Sequence, residues 1–174
     1  MYDTFDRLYE QYHQSLFQFI YYMVRDRHIA EELVQDVYIK VLHSYDRFDG
    51  RSNEKTWLFS IAKHVTIDYI RKENRQKRKW FGMVVSDEKI DIQDEQPLPE
   101  HHMLVKEELE TIYKALKKCS IDQQQVLILR FIESFSVKET AETLGWSESK
   151  VKTTQHRAIQ KLKKTLGEEE NHEQ

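Results

Sequence analysis

SVKETAETLGWSESKVKTTQHRAIQKLKKTL, residues 136–166, has the layout of two short helices joined by a tight turn, the second strongly basic. Ala141, Gly145 and Val151 stand at the spacing a close helix pair needs. A small side chain at 141 lets the second helix approach, glycine supplies the backbone freedom for the turn, and valine plugs the second helix into the core. Ser136 with Glu139 forms a capping box, and Ser147 is placed to cap the second helix. From 147 to 166 that helix carries Lys150, Lys152, Arg157, Lys161, Lys163 and Lys164 against Glu148 alone. Val151, Ala158 and Leu162 share one stripe, which turns Lys152, Thr153, His156, Arg157 and Gln160 outward. A helix of this build suits a DNA major groove, although a solvated helix closing a bundle has the same periodicity.

Working outward, breakers are scarce: four glycines and two prolines in 174 residues favour a mostly helical chain. With 33% charged residues, the domains are expected to be small and heavily solvated. Helices are predicted over 3–25, 28–44, 55–74, 103–118 and 120–133, ahead of the helix–turn–helix. Their apolar positions recur at helical spacing. They are Phe5, Leu8, Tyr9, Tyr12, Leu16, Phe19, Ile20 and Met23, then Ile29, Leu33, Val37 and Val41, then Trp57, Ile61, Val65 and Tyr69. Residues 45–54 read as a polar loop around Gly50, and Ser120 with Gln123 repeats the capping box.

Net charge −3 argues against a nucleic-acid binder only until it is divided along the chain. Residues 1–80 hold 14 basic and 12 acidic groups, and 111–166 hold 11 and 5. Between them, 81–110 hold 2 and 9, and 167–174 add four acids. Positive charge is thus confined to two blocks. The expected architecture is all-α, with two small helical domains joined by a flexible linker. Its parts are a first domain over 1–80, an acidic linker over 81–102 containing Pro97 and Pro99, a second domain over 103–166, and an acidic tail over 167–174.

Other function classes lack their chemistry. The eight histidines and the lone Cys119 make no paired metal-ligand spacing, and His101-His102 in the linker is at best a weak site, so no metal or cofactor is expected. No phosphate-cradling glycine loop or nucleophile elbow occurs, which argues against an enzyme. The longest apolar run, Phe19–Val24, is too short for a bilayer and the N-terminus lacks a secretory profile, so a cytoplasmic protein with no membrane insertion is expected.

Two blocks of wording carry a family resemblance. Ala30-Glu-Glu-Leu-Val-Gln-Asp-Val-Tyr38, Thr56-Trp-Leu-Phe-Ser-Ile-Ala62 and Asp68-Tyr-Ile-Arg71 resemble region 2 of the extracytoplasmic-function group of bacterial RNA polymerase sigma factors. Leu127-Ile-Leu-Arg-Phe131, Ser136–Ala141 and Ser147–Leu162 are similar to region 4. Their joint occurrence in order is more specific than either alone. The resemblance implies an alternative sigma factor that binds core RNA polymerase and recognises the −10 and −35 promoter elements, single-stranded at −10 and duplex at −35. It implies core docking through Glu32, Gln35, Asp36 and Ile39, which share one face at i, i+3, i+4 and i+7. It implies −10 contacts from Arg51, Ser52, Asn53, Glu54, Lys55, Lys63, Arg71 and Lys72, with Phe48 or Trp57 bracing a pocket. It implies −35 contacts from Lys150, Lys152, Thr153, His156 and Arg157. His64 stands where many relatives have asparagine, a departure from the pattern. An anti-sigma partner, commonly membrane-bound in this group, is also implied. The rival reading is a helix–turn–helix regulator that binds duplex DNA without polymerase, for which 28–74 would have to supply a sensor or dimerisation surface.

Overall fold

A computed structural model describes residues 2–51, 53–81 and 103–170. Helix starts are set by side chains that accept from otherwise unpaired backbone N–H groups. Asp26 accepts from the Ile29 amide at 3.0 Å. Ser120–Gln123 and Ser136–Glu139 each form both bonds of a capping box. Ser147 accepts from the Lys150 amide at 3.1 Å. The resulting elements are α1 (Tyr2–Val24), α2 (Arg27–Ser44), a 3₁₀ turn (Tyr45–Arg47), α3 (Glu54–Phe81), α4 (Met103–Lys117), α5 (Ile121–Leu127), a π turn (Ile128–Ile132), α6 (Val137–Leu144) and α7 (Glu148–Glu170). No strand occurs among the described residues. The chain divides into two compact units between Gln96 and Pro97.

The front unit packs α1, α2 and α3 against one another. Leu16, Phe19 and Ile20 from α1, Val37 and Val41 from α2, and Leu58, Phe59 and Ala62 from α3 are all buried in its core. The Phe19 and Phe59 rings meet edge-on at 5.9 Å between centroids. Each of these buried Leu, Ile, Val and Phe side chains stabilises the bundle by about 1.5–3 kcal/mol.

The expected stripe on α3 needs correction. Val65 is buried, but Trp57, Ile61 and Tyr69 are only half-buried, and the core face runs instead through Thr56, Leu58, Phe59, Ala62, Val65, Thr66 and Ile67. Polar threonines are tolerated there because their hydroxyls donate to carbonyls of their own helix turn. Thr56 Oγ1 donates to Asn53 at 2.9 Å and Thr66 Oγ1 to Ala62 at 2.7 Å. On α2, Leu33, Val37 and Val41 are buried as expected while Ile29 is half-buried. On α1, Tyr9 is exposed.

Helix limits differ in three places. Helix α3 continues to Phe81 rather than stopping near 74, because nothing between 74 and 81 breaks it and Arg78 and Lys79 complement the negative end of its dipole. The helix expected over 120–133 becomes α5 followed by the π turn, closed by the Glu133 amide donating to the Ile128 carbonyl at 2.9 Å. Helix α7 runs through Gly167 to Glu170, so the acidic tail starts as helix. Residues 82–102 of the linker, with His101 and His102, and residues 171–174 lie outside the described residues.

The back unit surrounds Val126, Leu127, Ile128, Leu129 and Phe135, and seals with Ala141, Leu144, Val151 and Ala158. Leu162, expected on the same α7 stripe, is half-buried. Gly145 takes φ 69°, the left-handed conformation that the α6–α7 turn requires. Cys119 is buried and donates to the Ala115 carbonyl, a packing role.

Candidate nucleic-acid interface

Helix α7 presents its polar face as a unit. Lys150, Lys152, Thr153, His156 and Arg157 are all exposed, while Val151 and Ala158 are fully buried behind them. Two contacts fix how the helix is seated. Arg130 in the π turn donates from Nε to Gln155 Oε1 at 2.9 Å and from a terminal nitrogen to the Phe135 carbonyl. That links the α5–α6 corner to the middle of α7. The Lys150 ammonium sits 3.9 Å from the Trp146 ring centroid, which holds a flexible side chain at the helix start.

The α7 face borders an open polar groove whose other wall is the start of α5. Ser120, Asp122 and Gln123 stand across from Ser147, Ser149, Lys150, Thr153, Thr154 and Arg157. Sequence reasoning recognised Ser120 and Gln123 as a cap and missed that they neighbour the basic helix. No local signal carries that adjacency, which arises when α5 packs on α7.

Around the start of α3 the candidates come from several elements. Arg51 folds back on Asp49, with the Arg51 amide and Nε each 3.0 Å from one of its carboxylate oxygens. Ser52 lies outside the described residues. Asn53 starts the helix: its Oδ1 accepts from the Lys55 amide at 2.9 Å and its carbonyl from the Trp57 amide. Glu54 is committed within the fold. Arg7 of α1 grips both its oxygens, at 2.9 and 2.6 Å, and the Tyr45 hydroxyl donates to it at 3.3 Å. The hydrogen bonds from Arg7, more than its charge, hold the Glu54 carboxyl below the usual carboxylate range against a smaller opposing effect of burial. Above this anchor Phe48 packs on Trp57 at 4.9 Å and Tyr45 meets Trp57 edge-on at 5.9 Å. The aromatic trio thus braces the loop.

Further along α3, Lys63 is half-buried and Arg71 and Lys72 are exposed. His64 is exposed, with Nδ1 donating to the Ser60 carbonyl at 2.6 Å.

On α2 the four expected positions do share an outer face. Glu32, Gln35 and Asp36 are exposed and Ile39 is 53% exposed, opposite buried Leu33, Val34, Val37 and Val41. His28 Nε2 approaches Glu32 at 3.3 Å. Leu42, also exposed, extends this face by one turn and edges a shallow apolar hollow with Phe5, Leu8 and Tyr45. Its side chain was missed because it falls between the stripe that packs the core and the stripe read as polar. Among the described residues no group of three or more potential ligands gathers as a metal site. None of the described helices is long and apolar enough to cross a membrane.

Comparison with known proteins follows the same two-part plan. Residues 8–76 match the family model of Sigma-70 region 2, and residues 109–162 that of Sigma-70, region 4. The chain is 51% identical to the ECF RNA polymerase sigma factor SigX of Bacillus subtilis, over 95% of this chain and 85% of that protein. It is 35% identical to the RNA polymerase sigma factor YlaC of the same organism, over 94% and 92%. The solved sigma factor RpoE from Bartonella quintana, in complex with the anti-sigma factor NepR, shares 26% identity over 94% of this chain and 97% of that one, with a TM-score of 0.71. These likenesses do not favour a regulator that works without polymerase.

Proposed function

We propose a residue-level division of labour for this chain, which belongs to the extracytoplasmic-function group of sigma-70-type RNA polymerase sigma factors and is an alternative sigma factor. The front unit, residues 1–80, docks on core polymerase through Glu32, Gln35, Asp36 and Ile39, with Leu42 extending the contact. Three polar groups around exposed apolar side chains suit a specific protein interface.

The same unit captures the opened −10 strand. Arg51, Asn53 and Lys55, together with Ser52 from the same stretch of sequence, offer polar groups to an extruded base, and Lys63, Arg71 and Lys72 hold its phosphates. Glu54 serves this capture indirectly, by pinning the loop to α1 through Arg7. Phe48 and Trp57 support the pocket floor. Holding an unpaired base more tightly than the duplex shifts the promoter toward its melted state.

The back unit, residues 103–166, reads the −35 duplex. Lys152 and Arg157 reach guanine acceptors or phosphates, Thr153 a phosphate or base edge, and His156 the sugar–phosphate surface. Lys150, seated on Trp146, grips a phosphate beside the helix start. The groove wall formed by Ser120 and Gln123 adds neutral donors to the neighbouring strand. The phosphoryl-transfer chemistry belongs to polymerase, and this chain contributes selection and strand capture rather than catalysis. It works beside polymerase in the cytoplasm and is held in check by an anti-sigma protein, a partner supported by the RpoE–NepR complex.

One observation carries this reading: on α2 and on α7 the assigned residues stand exposed together, directly opposite a buried stripe. Transcription in vitro with core enzyme and a promoter library tests it. The chain should direct start-site-specific RNA synthesis and reveal −10 and −35 preferences together. Asp36→Arg should lower competition for core enzyme by at least about tenfold, given the desolvated contact it reverses. An Asp36→Arg protein that competes fully would show the docking face to be misplaced.

A further inference from the structure

Arg130 stands behind the α7 face and joins three pieces of the back unit. It is half-buried in the π turn, donates from Nε to Gln155 Oε1 at 2.9 Å, and donates from a terminal nitrogen to the Phe135 carbonyl. The Phe131 ring centroid lies 5.9 Å from its guanidinium carbon. The backbone around it is unusual. Ile128–Ile132 forms the π turn, and Ser134 takes φ 59°, left-handed for a residue that carries a Cβ. Such conformations cost free energy and cluster at functional sites. Here the strained corner delivers one guanidinium to one amide.

Gln155 is not on the outward face of α7. At about 100° per residue it stands about 40° from Val151 and about 160° from Thr153. It is half-buried, whereas Thr153, His156 and Arg157 are exposed. The side chains of α7 at 0% exposure are small ones, Val151 and Ala158. Apolar burial holds a helix down without fixing its rotation, because the attraction has no direction. A guanidinium donating at two points does have direction. Rotation matters to a reading helix. Its side-chain ends lie about 5–6 Å from the axis, so a turn of about 20° displaces them by about 2 Å. A base-edge hydrogen bond does not survive that displacement. We propose that Arg130 and Gln155 are positioning residues for −35 recognition. Their bond sets the rotation of α7 against the α5–α6 corner, and so decides which base edge each of Lys152, Thr153 and Arg157 meets. The proposal rests on the reading that the α7 face takes the −35 duplex, and it places part of the selectivity behind that face.

The test uses holoenzyme assembled from the full chain and core polymerase. Affinity is read by fluorescence anisotropy across promoters substituted singly through the −35 element. Gln155→Leu removes the acceptor while keeping a good helix former on the core flank. Its ratio of affinities, best sequence over substituted ones, should shrink about fivefold at several −35 positions together. The salt slope should not move, since no charge changes. Arg130→Met should lose the same factor, and the double variant should lose no more. Gln155→Glu keeps an oxygen for the guanidinium and should regain the ratios, while its charge lowers affinity for every sequence alike. The urea midpoint followed near Trp146 should match the parent in Gln155→Leu, which separates positioning from a merely structural role. Retained ratios in Gln155→Leu would overturn the proposal. So would a loss confined to one base pair, which would make Gln155 a reader, or ratios that Gln155→Glu fails to regain. Failure of the α7 reading is separable: parent holoenzyme would then be indifferent to −35 substitutions.

Discussion

On α7 the residues proposed to face DNA share one face of one helix, whereas those proposed at the start of α3 are gathered from a turn, a loop and a helix end. The α7 face is backed by Val151 and Ala158, fully buried, and its seating depends on the corner that Arg130 ties to Gln155. The α3 loop has no such backing. Its position depends on a long-range grip, Arg7 on Glu54, and on the tilted packing of Phe48 against Trp57. A helix face is as rigid as its core, while a pinned loop is as rigid as its pins. The two surfaces should accordingly fail in different ways.

The largest expected effect comes from removing the support of α7. Phe135 is 1% exposed and its carbonyl receives Arg130. Phe135→Ala should destabilise the back unit by about 3–5 kcal/mol. In the full chain, the denaturation monitored near Trp146 should shift to lower urea while the α1–α3 transition stays in place. Equal shifts in both would mean that the two surfaces do not rest on separate cores.

A smaller break leaves the fold intact. Arg157→Ala removes an exposed guanidinium from the α7 face and should weaken −35-dependent binding by about 1–3 kcal/mol, with preference relaxed at one position, if a base is read. A uniform loss across sequences with a lower salt slope would assign Arg157 to phosphate instead. Either outcome sharpens the contrast, because neither should alter −10 preference.

The same contrast explains what could be read in advance. Capping boxes at Ser120 and Ser136, the Gly145 turn and the Val151 plug are local, each decided within about four residues by backbone hydrogen bonding and side-chain size. They were legible, and with them the α7 face. The α3 stripe was not, because hydrophobicity ranked Trp57 and Ile61 above Thr56 and Thr66. The threonines satisfy their own hydroxyls, while Trp57 finds Phe48 and Tyr45 instead. The Arg7–Glu54 grip spans 47 positions, and no spacing rule connects them. Glu54 is therefore expected from sequence only as a DNA contact, and its hold by Arg7 and Tyr45 is visible only in the structure.

The caps themselves allow a finer test. Ser136→Ala removes the acceptor for the Glu139 amide and half of a reciprocal pair. The cost should be about 1 kcal/mol, or roughly a 5 °C fall in the midpoint of the back unit. Affinity for −35 DNA measured well below that midpoint should hold, since α6 supports the face without supplying it.

Glu54→Gln should have the smallest effect on stability and yet discriminates most finely between pin and reader. Arg7 is about half exposed, so solvent and salt screen the pair. The Glu54 carboxyl is held below its ordinary range, so its contribution is complete above the unfolded carboxylate value and is lost as pH falls through the folded one. The stability gap between parent and variant should thus be full at neutral pH and close below about pH 4. If Glu54 acts only by pinning the loop, the variant should bind single-stranded −10 DNA about two- to fivefold more weakly, and Arg7→Ala should match it. Adding the second substitution to the first should then cost nothing further. A glutamine variant much weaker than Arg7→Ala would place the carboxylate on the DNA itself, and the loop would then be held by the aromatic trio rather than by the ion pair.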